Sequence, residues 1–333
     1  RVDRVAGWFL LARMYLNAQT WINENKYQEA YAYAVKVIAD GHYPLASDYR
    51  EIFLADNNTC KEIIWPLVQD GLRAQSSAGT NFYVKAFVNG PMDELYKTGV
   101  GSRGWGNVRA KVSLVDAFDA DDVMFDGNDT WGNNKKDKRA QFMTALPNQV
   151  KDTWDVNMDM TSTFTCGYGY IKWRNVTKED ELSASGDAYT SIDFPLFRTA
   201  DAYLMAAEAI LRGANGTQSE ALGYVNEVRT RAYMSGKYAR NGVRSDVSGE
   251  ITASELNLDF LLVERQKELA SELTRRTDLI RFGKYTKGNN WDWKNGVRLG
   301  ADVDDKYNLF PIPESELTNN PTLVQNDGYK VIK

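Results

Sequence analysis

The sequence holds a single histidine, His42, and only two cysteines, Cys60 and Cys166. Any Ser-His-Asp or Cys-His machinery would have to use His42. That residue stands in Gly41-His42-Tyr43-Pro44, directly after a helical pattern. There a histidine satisfies loose carbonyls or faces solvent. Histidine-rich zinc sites are excluded. The cysteines form no Cys-x-x-Cys pair, which removes metal knuckles and dithiol motifs, and they read as two isolated thiols. No Gly-x-x-x-x-Gly-Lys-Ser/Thr occurs, and no Gly-x-Gly-x-x-Gly opens a helix after a strand, so the phosphate cradles are missing too. No apolar run approaches a membrane-spanning length. Positive charge is scattered and the net charge is −5, the wrong balance for a nucleic-acid partner. The densest basic run, residues 135–139, is broken by Asp137 and reads as a solvated loop. Nothing calls for a cofactor or a metal.

What is present is an ordinary globular composition with many aromatic rings. Of 333 residues, 43% are hydrophobic and 26% charged, enough for a sizeable core. Nine Trp, 18 Tyr and 13 Phe are more rings than a core normally takes, and several Trp lie in Gly/Asn/Asp-rich stretches. The first residues run straight into a helical pattern with no signal sequence, so the start reads as a cut through a longer protein.

Helical spacing dominates both ends. Val5, Trp8, Phe9, Leu11, Ala12, Tyr15 and Leu16 define one helix over 3–18. Ala30, Tyr31, Ala34, Val35 and Ile38 define a second over 27–39, stopped by Gly41. Trp8-x-x-Leu11-Ala12-x-x-Tyr15 fits the opening of a tetratricopeptide repeat, with small Ala30 and Ala34 where the partner helix approaches. A second hairpin is expected from 194–211 and 219–232, turning at Gly213–Gly216, and then a long helix over 254–276. The two hairpins are about 190 residues apart and do not read as a continuous solenoid.

Between them, residues 62–193 have a different texture. Glu62–Gln69 reads as a strand, and a short helix is expected over Lys111–Phe118. Turn-formers punctuate the rest: Gly99–Asn107 and Asp126–Asn134. Long loops of this kind usually carry function. Trp105 with Asn107, and Trp131 flanked by Asn128, have the composition of a sugar platform: a flat ring for the C–H face of a sugar and amides for its hydroxyls. Tyr83 joins them as a candidate. Trp8, Trp65 and Trp173 sit in regular apolar patterns and are expected in the core.

The loops admit two other readings. The acidic cluster Asp119, Asp121, Asp122, Asp126 and Asp129 supplies carboxylates for a glycoside hydrolase, which needs two at a set separation. As a calcium loop it fails, because Trp131 stands where an EF-hand requires Gly. Four Asn-x-Ser/Thr triplets, at Asn57, Asn128, Asn175 and Asn215, are frequent by chance in so Asn-rich a chain.

Four motifs, in order, resemble the SusD/RagB nutrient-binding lipoproteins. Phe194-Pro-Leu-Phe-Arg198-Thr-Ala-Asp201-Ala-Tyr-Leu-Met-Ala-Ala-Glu208 is similar to that family's signature helix, continued by Val225-Asn226-Glu-Val-Arg229-Thr-Arg231. Phe260-Leu-Leu-Val-Glu264-Arg265-Gln-Lys-Glu268 leads on through Glu272 to Arg275, Asp278 and Arg281. Phe310-Pro311-Ile312-Pro313 with Asn320-Pro321 and Gln325-Asn326-x-Gly328-Tyr329 looks like its closing motif. Gly41-x-Tyr43-x-Leu45-x-x-Asp48-Tyr49 resembles the stretch after its first helices, and the likeness is weakest over 83–164. Physically, Glu264, Arg265, Glu268, Glu272 and Arg275 are spaced for ion pairs along one helix face, and Arg198 and Asp201 are spaced to pair with each other. The charges read as scaffold.

The resemblance implies a mainly α fold: tetratricopeptide-like hairpins around a loop-rich insertion, one N-terminally truncated domain divided at 1–61, 62–193 and 194–333. It implies a non-catalytic glycan-binding protein on the cell outer membrane. Its partners would be a glycan and a SusC-type TonB-dependent transporter, and its lipid anchor would lie outside this chain. A purely structural tetratricopeptide scaffold is the other alternative.

Overall fold

The computed structural model describes residues 2–89, 93, 96–123, 135–143, 167–234, 248–288 and 290–330. They form two compact units, residues 1–274 and 275–333.

The first unit is built on helices. Helix α1 (Arg4–Ile22) starts where the Asp3 carboxylate accepts from the Ala6 amide, and it ends at Asn23 in the left-handed region. Helix α2 (Tyr27–Asp40) stops at Gly41, also left-handed. Ala12, Ala30 and Ala34 are fully buried between them, so the small residues do bring the two backbones together. Strand β1 (Ile63–Leu67), helix α3 (Thr80–Ala86), the single turns α4 (Val112–Val115) and α5 (Ala120–Val123), and the two-residue strands β2 (Phe142–Met143) and β3 (Gly169–Tyr170) follow. Then come strand β4 (Phe194–Arg198) and helices α6 (Thr199–Leu211), α7 (Gln218–Met234) and α8 (Leu258–Leu269).

The two hairpins, distant in sequence, stack in space. Ala202, Met205, Ala206 and Ala209 of α6 share one apolar cluster with Phe9, Ala12, Leu16, Ala30 and Ala34. Arg13 of α1 also pairs with Asp201 of α6 at 2.8 Å. Expected core residue Trp173 is buried, whereas Trp8 and Trp65 are partly buried rings packed on this cluster's edge.

Three expectations of secondary structure are corrected, and one of exposure: residues 137–139 of the basic run are buried rather than a solvated loop. Residues 194–198 are not the first turn of a helix. They form β4, antiparallel to β1 with Ile63 opposite Arg198 and Leu67 opposite Phe194. The residue before Pro195 is biased toward extended backbone, and β1 offers an edge whose pairing outweighs the helical spacing. The long helix over 254–276 ends at Leu269. Ser271 and Leu273 both have left-handed φ, near 60°, and the carbonyl freed at Ala270 accepts from Lys172 Nζ at 2.8 Å. The helix expected over 111–118 is one turn, Val112–Val115.

The insertion has a core of its own. Tyr49, Phe53, Val84, Phe87, Tyr96, Phe118, Phe142, Tyr168, Tyr170 and Trp173 form one buried cluster. Two of the four Asn-x-Ser/Thr asparagines are buried structural groups. Asn57 donates to the Ile52 and Asp193 carbonyls, and Asn175 to those of Gly99 and Gly186.

The second unit contains helices α9 (Arg275–Arg281) and α10 (Glu314–Asn319). The closing motif is a clamp. Gln325 exchanges side-chain hydrogen bonds with both the N–H and the carbonyl of Ile312, Asn326 donates to the Phe310 carbonyl, and the Tyr329 hydroxyl donates to that of Leu309. The prolines hold 310–313 extended, and the later half of the motif grips that segment's backbone.

Candidate functional site: an aromatic surface at the end of a short helix

Helix α3 ends with carbonyls that need donors. Four consecutive amides supply them. Trp105 N–H donates to the Lys85 carbonyl, Gly106 to Val88, and both Asn107 and Val108 to Ala86, all at 2.8–2.9 Å. Residues 104–108 are thus strapped to α3 by backbone alone. The glycines make this possible. A Cβ on Gly104 would sit 2.5 Å from the Val88 carbonyl oxygen, and Gly106 has φ +60°. No side-chain hydrogen bond of Trp105 or Asn107 among the described residues takes part in the strap.

Trp105 is half-buried and Asn107 exposed. The indole lies beside Phe82, with ring centroids 6.1 Å apart and planes at 58°. Phe82 lies beside Tyr83, at 6.0 Å and 81°. Tyr83 in turn is stacked on the core rings of Trp173 (5.6 Å) and Phe194 (5.9 Å). A continuous line of rings therefore runs from the buried core out to Phe82, which is 42% exposed, and on to Trp105. Anchoring fixes the outer rings with little rotamer freedom left to lose on binding. No hydrogen bond among the described residues uses the Trp105 indole N–H, the Asn107 amide or the Tyr83 hydroxyl. Burial raises the Tyr83 pKa, so the phenol stays protonated and able to donate. Beside the rings, Ser76–Gly79, Phe82 and Tyr83 line an open depression of about 600 Å³.

Of the five residues singled out from sequence, Tyr83, Trp105 and Asn107 come together here. Asn128 and Trp131 lie outside the described residues, as do Cys166, Asp126 and Asp129. Phe82 was missed. A Phe beside a Tyr at the start of a helical run gives no signal that one of the rings faces out.

The titratable groups lie elsewhere and are occupied. The pairs expected along the helix face are instead made between elements. Glu268 is fully buried and holds Arg198 at 2.6 Å, Arg139 at 3.3 Å and also Arg231. Glu264 pairs with Arg139 and Arg229, each at 2.6 Å. Arg198 does not meet Asp201. It binds Glu62 at 2.9 Å and Glu272 at 2.6 Å, while Asp201 takes Arg13 and Arg265. Burial alone would raise the Glu268 pKa, but Arg231, Arg198 and Arg139 outweigh it and hold the carboxyl well below the usual range. For Asp201 burial is likewise outweighed, by Arg265 and Arg13, and the pKa falls to about 2. Burial lowers Lys172 to about 8 against the pull of Glu272.

These groups knit β1, β4, α7, α8 and the 137–139 and 172–174 segments into one body. Asp122 of the acidic cluster is buried, and its carboxylate accepts from the Lys136 and Asp137 amides at 2.7 and 3.0 Å. That side chain ties a loop down. A second concavity, about 360 Å³, is lined by Leu45, Glu51, Asp56, Cys60, Lys61 and Lys178 among others. It offers no aromatic face, and burial pushes the Cys60 thiol up to about 12.

The helical scaffold thus carries an anchored, partly exposed aromatic surface, and buried ion pairs hold its interior. The SusD family model matches residues 61–329, and the chain belongs to the SusD family. It is 33% identical to the starch-binding protein SusD of Bacteroides thetaiotaomicron over 99% of this chain and 61% of that protein. It is 25% identical to a SusD-like protein of Formosa agariphila over 98% of this chain and 59% of that one. The chain thus spans about three-fifths of the length of these curated relatives. Among solved structures, a SusD-like protein from Bacteroides fragilis matches with a TM-score of 0.64 at 20% identity, covering 99% of this chain and 66% of that one. Surface glycan-binding protein A from Bacteroides thetaiotaomicron, solved with laminarihexaose, matches with a TM-score of 0.61 at 21% identity, covering 98% and 64%. These structural likenesses establish the SusD-type helical fold.

Proposed function

We propose that this chain binds a glycan without cleaving it, on the surface formed by Phe82, Tyr83, Trp105 and Asn107. The observation that carries the reading is the strap on α3. Backbone hydrogen bonds and two glycines hold residues 104–108, so the indole and amide they present are available to a ligand. Sugar C–H faces pack on the rings, and the free indole N–H, amide and phenol meet hydroxyls. A relative 33% identical, named for binding starch, makes a starch-type glucan the first ligand to test. Asn128 and Trp131 belong to the same proposal as a further platform. In the intact protein the glycan passes to a SusC-type TonB-dependent transporter, and a lipid anchor outside this chain holds the assembly at the outer membrane. Among the described residues no helix is long and apolar enough to cross a membrane.

The test is affinity electrophoresis through amylopectin and other polysaccharides, with calorimetry on maltoheptaose and a reducing-end assay in parallel. Retardation with no release of reducing ends supports the proposal. Steady release supports the hydrolase reading. Copurification of the native protein from membranes with a large barrel protein tests the partner.

A further inference from the structure

The depression beside the rings has features that the stacking surface alone does not use. Its walls are Phe82 and Tyr83, and its rim is Ser76, Ser77, Ala78 and Gly79. The rim is built, not loose. The side chain of Asn81, itself buried, donates to the Ser76 carbonyl at 3.0 Å, and the Ala78 amide donates to Ser76 Oγ at 3.1 Å. Gln69 Nε2 reaches the Ala74 carbonyl at 3.1 Å, and the Gln69 amide is tied to Asp193 at 2.9 Å. Gly79 has φ +65°, and a Cβ there would meet Gln69 Oε1 at 2.8 Å. Two hydroxyls at the depression, Ser77 and Tyr83, take part in no hydrogen bond among the described residues.

Among the described residues no charged side chain lines it. Neighbouring Lys85 is buried and turned away, its Nζ donating to the Ala188 carbonyl at 2.5 Å. Arg73 pairs with Asp70 at 2.8 Å. An anionic sugar would lose water there and gain no counter-charge. Phe82 is the common wall, lining the depression and lying 6.1 Å from the Trp105 ring.

We infer that the depression is a second sugar subsite, continuous with the Trp105 surface, that takes one neutral pyranose unit of the same glycan. The inference rests on the glycan-binding reading above. The ring seats on Phe82 and Tyr83, and the Ser77 and Tyr83 hydroxyls meet its hydroxyls. The footprint then spans at least two sugar units, and uronic acids are disfavoured.

The experiment is calorimetry on the wild-type chain and the variants Ala78→Met, Ser77→Ala and Trp105→Ala, with maltose, maltotriose, maltoheptaose, laminarihexaose and hexagalacturonate. Ala78 is exposed, so Met at this position can lie over the Phe82 and Tyr83 rings and fill the depression without removing a rim hydrogen bond. Ala78→Met is expected to weaken maltoheptaose binding about 5- to 20-fold, the loss of one stacked unit. Its melting temperature should stay at the wild-type value. Ser77→Ala should cost about 2- to 5-fold, as one hydrogen bond does, and it keeps the test open if the Met variant folds poorly. Hexagalacturonate should not bind. Wild-type affinity for maltoheptaose in both depression variants, with a loss in Trp105→Ala, overturns the second subsite and leaves the glycan reading standing. Hexagalacturonate binding that Ala78→Met abolishes overturns the neutral-sugar claim. Failure of the wild type to bind either maltoheptaose or laminarihexaose overturns the reading beneath the inference, and the inference with it.

Discussion

Replacing Trp105 by Ala tests whether the indole holds a ligand or only packs on Phe82. The strap that carries Trp105 is held by the backbone amides of residues 105–108, and an Ala side chain keeps all of them. What the fold loses is the contact with Phe82 at 6.1 Å and 58°, and such a pair is worth about 0.5–1.5 kcal/mol beyond its area. The partly buried indole also gives up the area it covers, at about 25 cal/mol per Å² of the roughly 150–250 Å² a Trp can bury, so the whole stability cost is about 2–4 kcal/mol. The melting temperature should then fall by about 4–10 °C while the chain stays folded. A sugar stacked on the indole is worth about 1–3 kcal/mol by analogy with base stacking, so affinity should drop about 5- to 150-fold. Trp173→Ala is the contrasting control. That ring is buried against Phe53, Tyr83 and Phe194, and losing it should cost about 3–5 kcal/mol of stability. Calorimetric titration with maltoheptaose and scanning calorimetry on both variants give the comparison. If Trp105→Ala melts many degrees lower yet binds as before, the indole is packing and the site is wrongly placed.

Three further outcomes follow from the same geometry. Gly104→Val would place a Cβ 2.5 Å from the Val88 carbonyl oxygen; the strap should lift off α3, and glycan binding should fall at least as far as in Trp105→Ala while far-ultraviolet circular dichroism stays helical. Glu268→Gln should cost about 3–5 kcal/mol in urea unfolding, because Arg198, Arg231 and Arg139 are left facing a neutral amide; a loss under 1 kcal/mol would show that the network is redundant there. Acid should unfold the chain through the same groups. The Asp201 pKa falls from 3.8 to about 2 in the folded state, so its contribution of about 2 kcal/mol is present above pH 3.8 and disappears as pH drops through 2. Glu268 shifts in the same direction. Stability measured from pH 6 to 2 should therefore hold to about pH 4 and then decline, and a rise below pH 4 would contradict the assignment.

The hairpins were legible because their signals are local. Alanines at 30 and 34 mark a close helix approach in any fold, and Gly41 marks a stop. The signature motifs were legible as scaffold, but their partners were not. Arg198 and Asp201 have the spacing of a helix pair, yet Arg198 ends a strand and points to Glu62, Glu268 and Glu272. That choice depends on β1 claiming residues 194–198 as a partner, an interaction across more than a hundred residues. The break after Leu269 has the same origin, since the Ala270 carbonyl and the Glu272 carboxylate are both taken by Lys172. In the candidate site, the composition of Gly104-Trp105-Gly106-Asn107 pointed to a loop indole, but the close backbone approach to α3 that the glycines permit shows only in the structure. Phe82 gave no such notice. Its exposure depends on which ring of the Phe82-Tyr83 pair finds Trp173 and Phe194.

The division of labour between charges and rings makes one more prediction. Folding has used the acids and bases internally: Glu62, Glu264, Glu268, Glu272 and Asp201 all meet arginines in the interior. Among the described residues, the proposed ring surface offers an indole, an amide, a phenol and a serine hydroxyl. None of these changes charge between pH 5 and 8, because burial raises the Tyr83 pKa further from that range. The single histidine stands outside the site, beside Asp40 at the end of α2. Binding therefore releases or takes up no protons, and the affinity for maltoheptaose should vary by less than about twofold from pH 5 to 8. The same neutrality removes counterion release from the energetics, so affinity should also be flat between low and high salt. Titrations at four pH values and two salt concentrations measure both. A tenfold change with pH, or a steep loss with salt, would mean that a charged group contacts the glycan, and the recognition surface would then have to lie elsewhere on the chain.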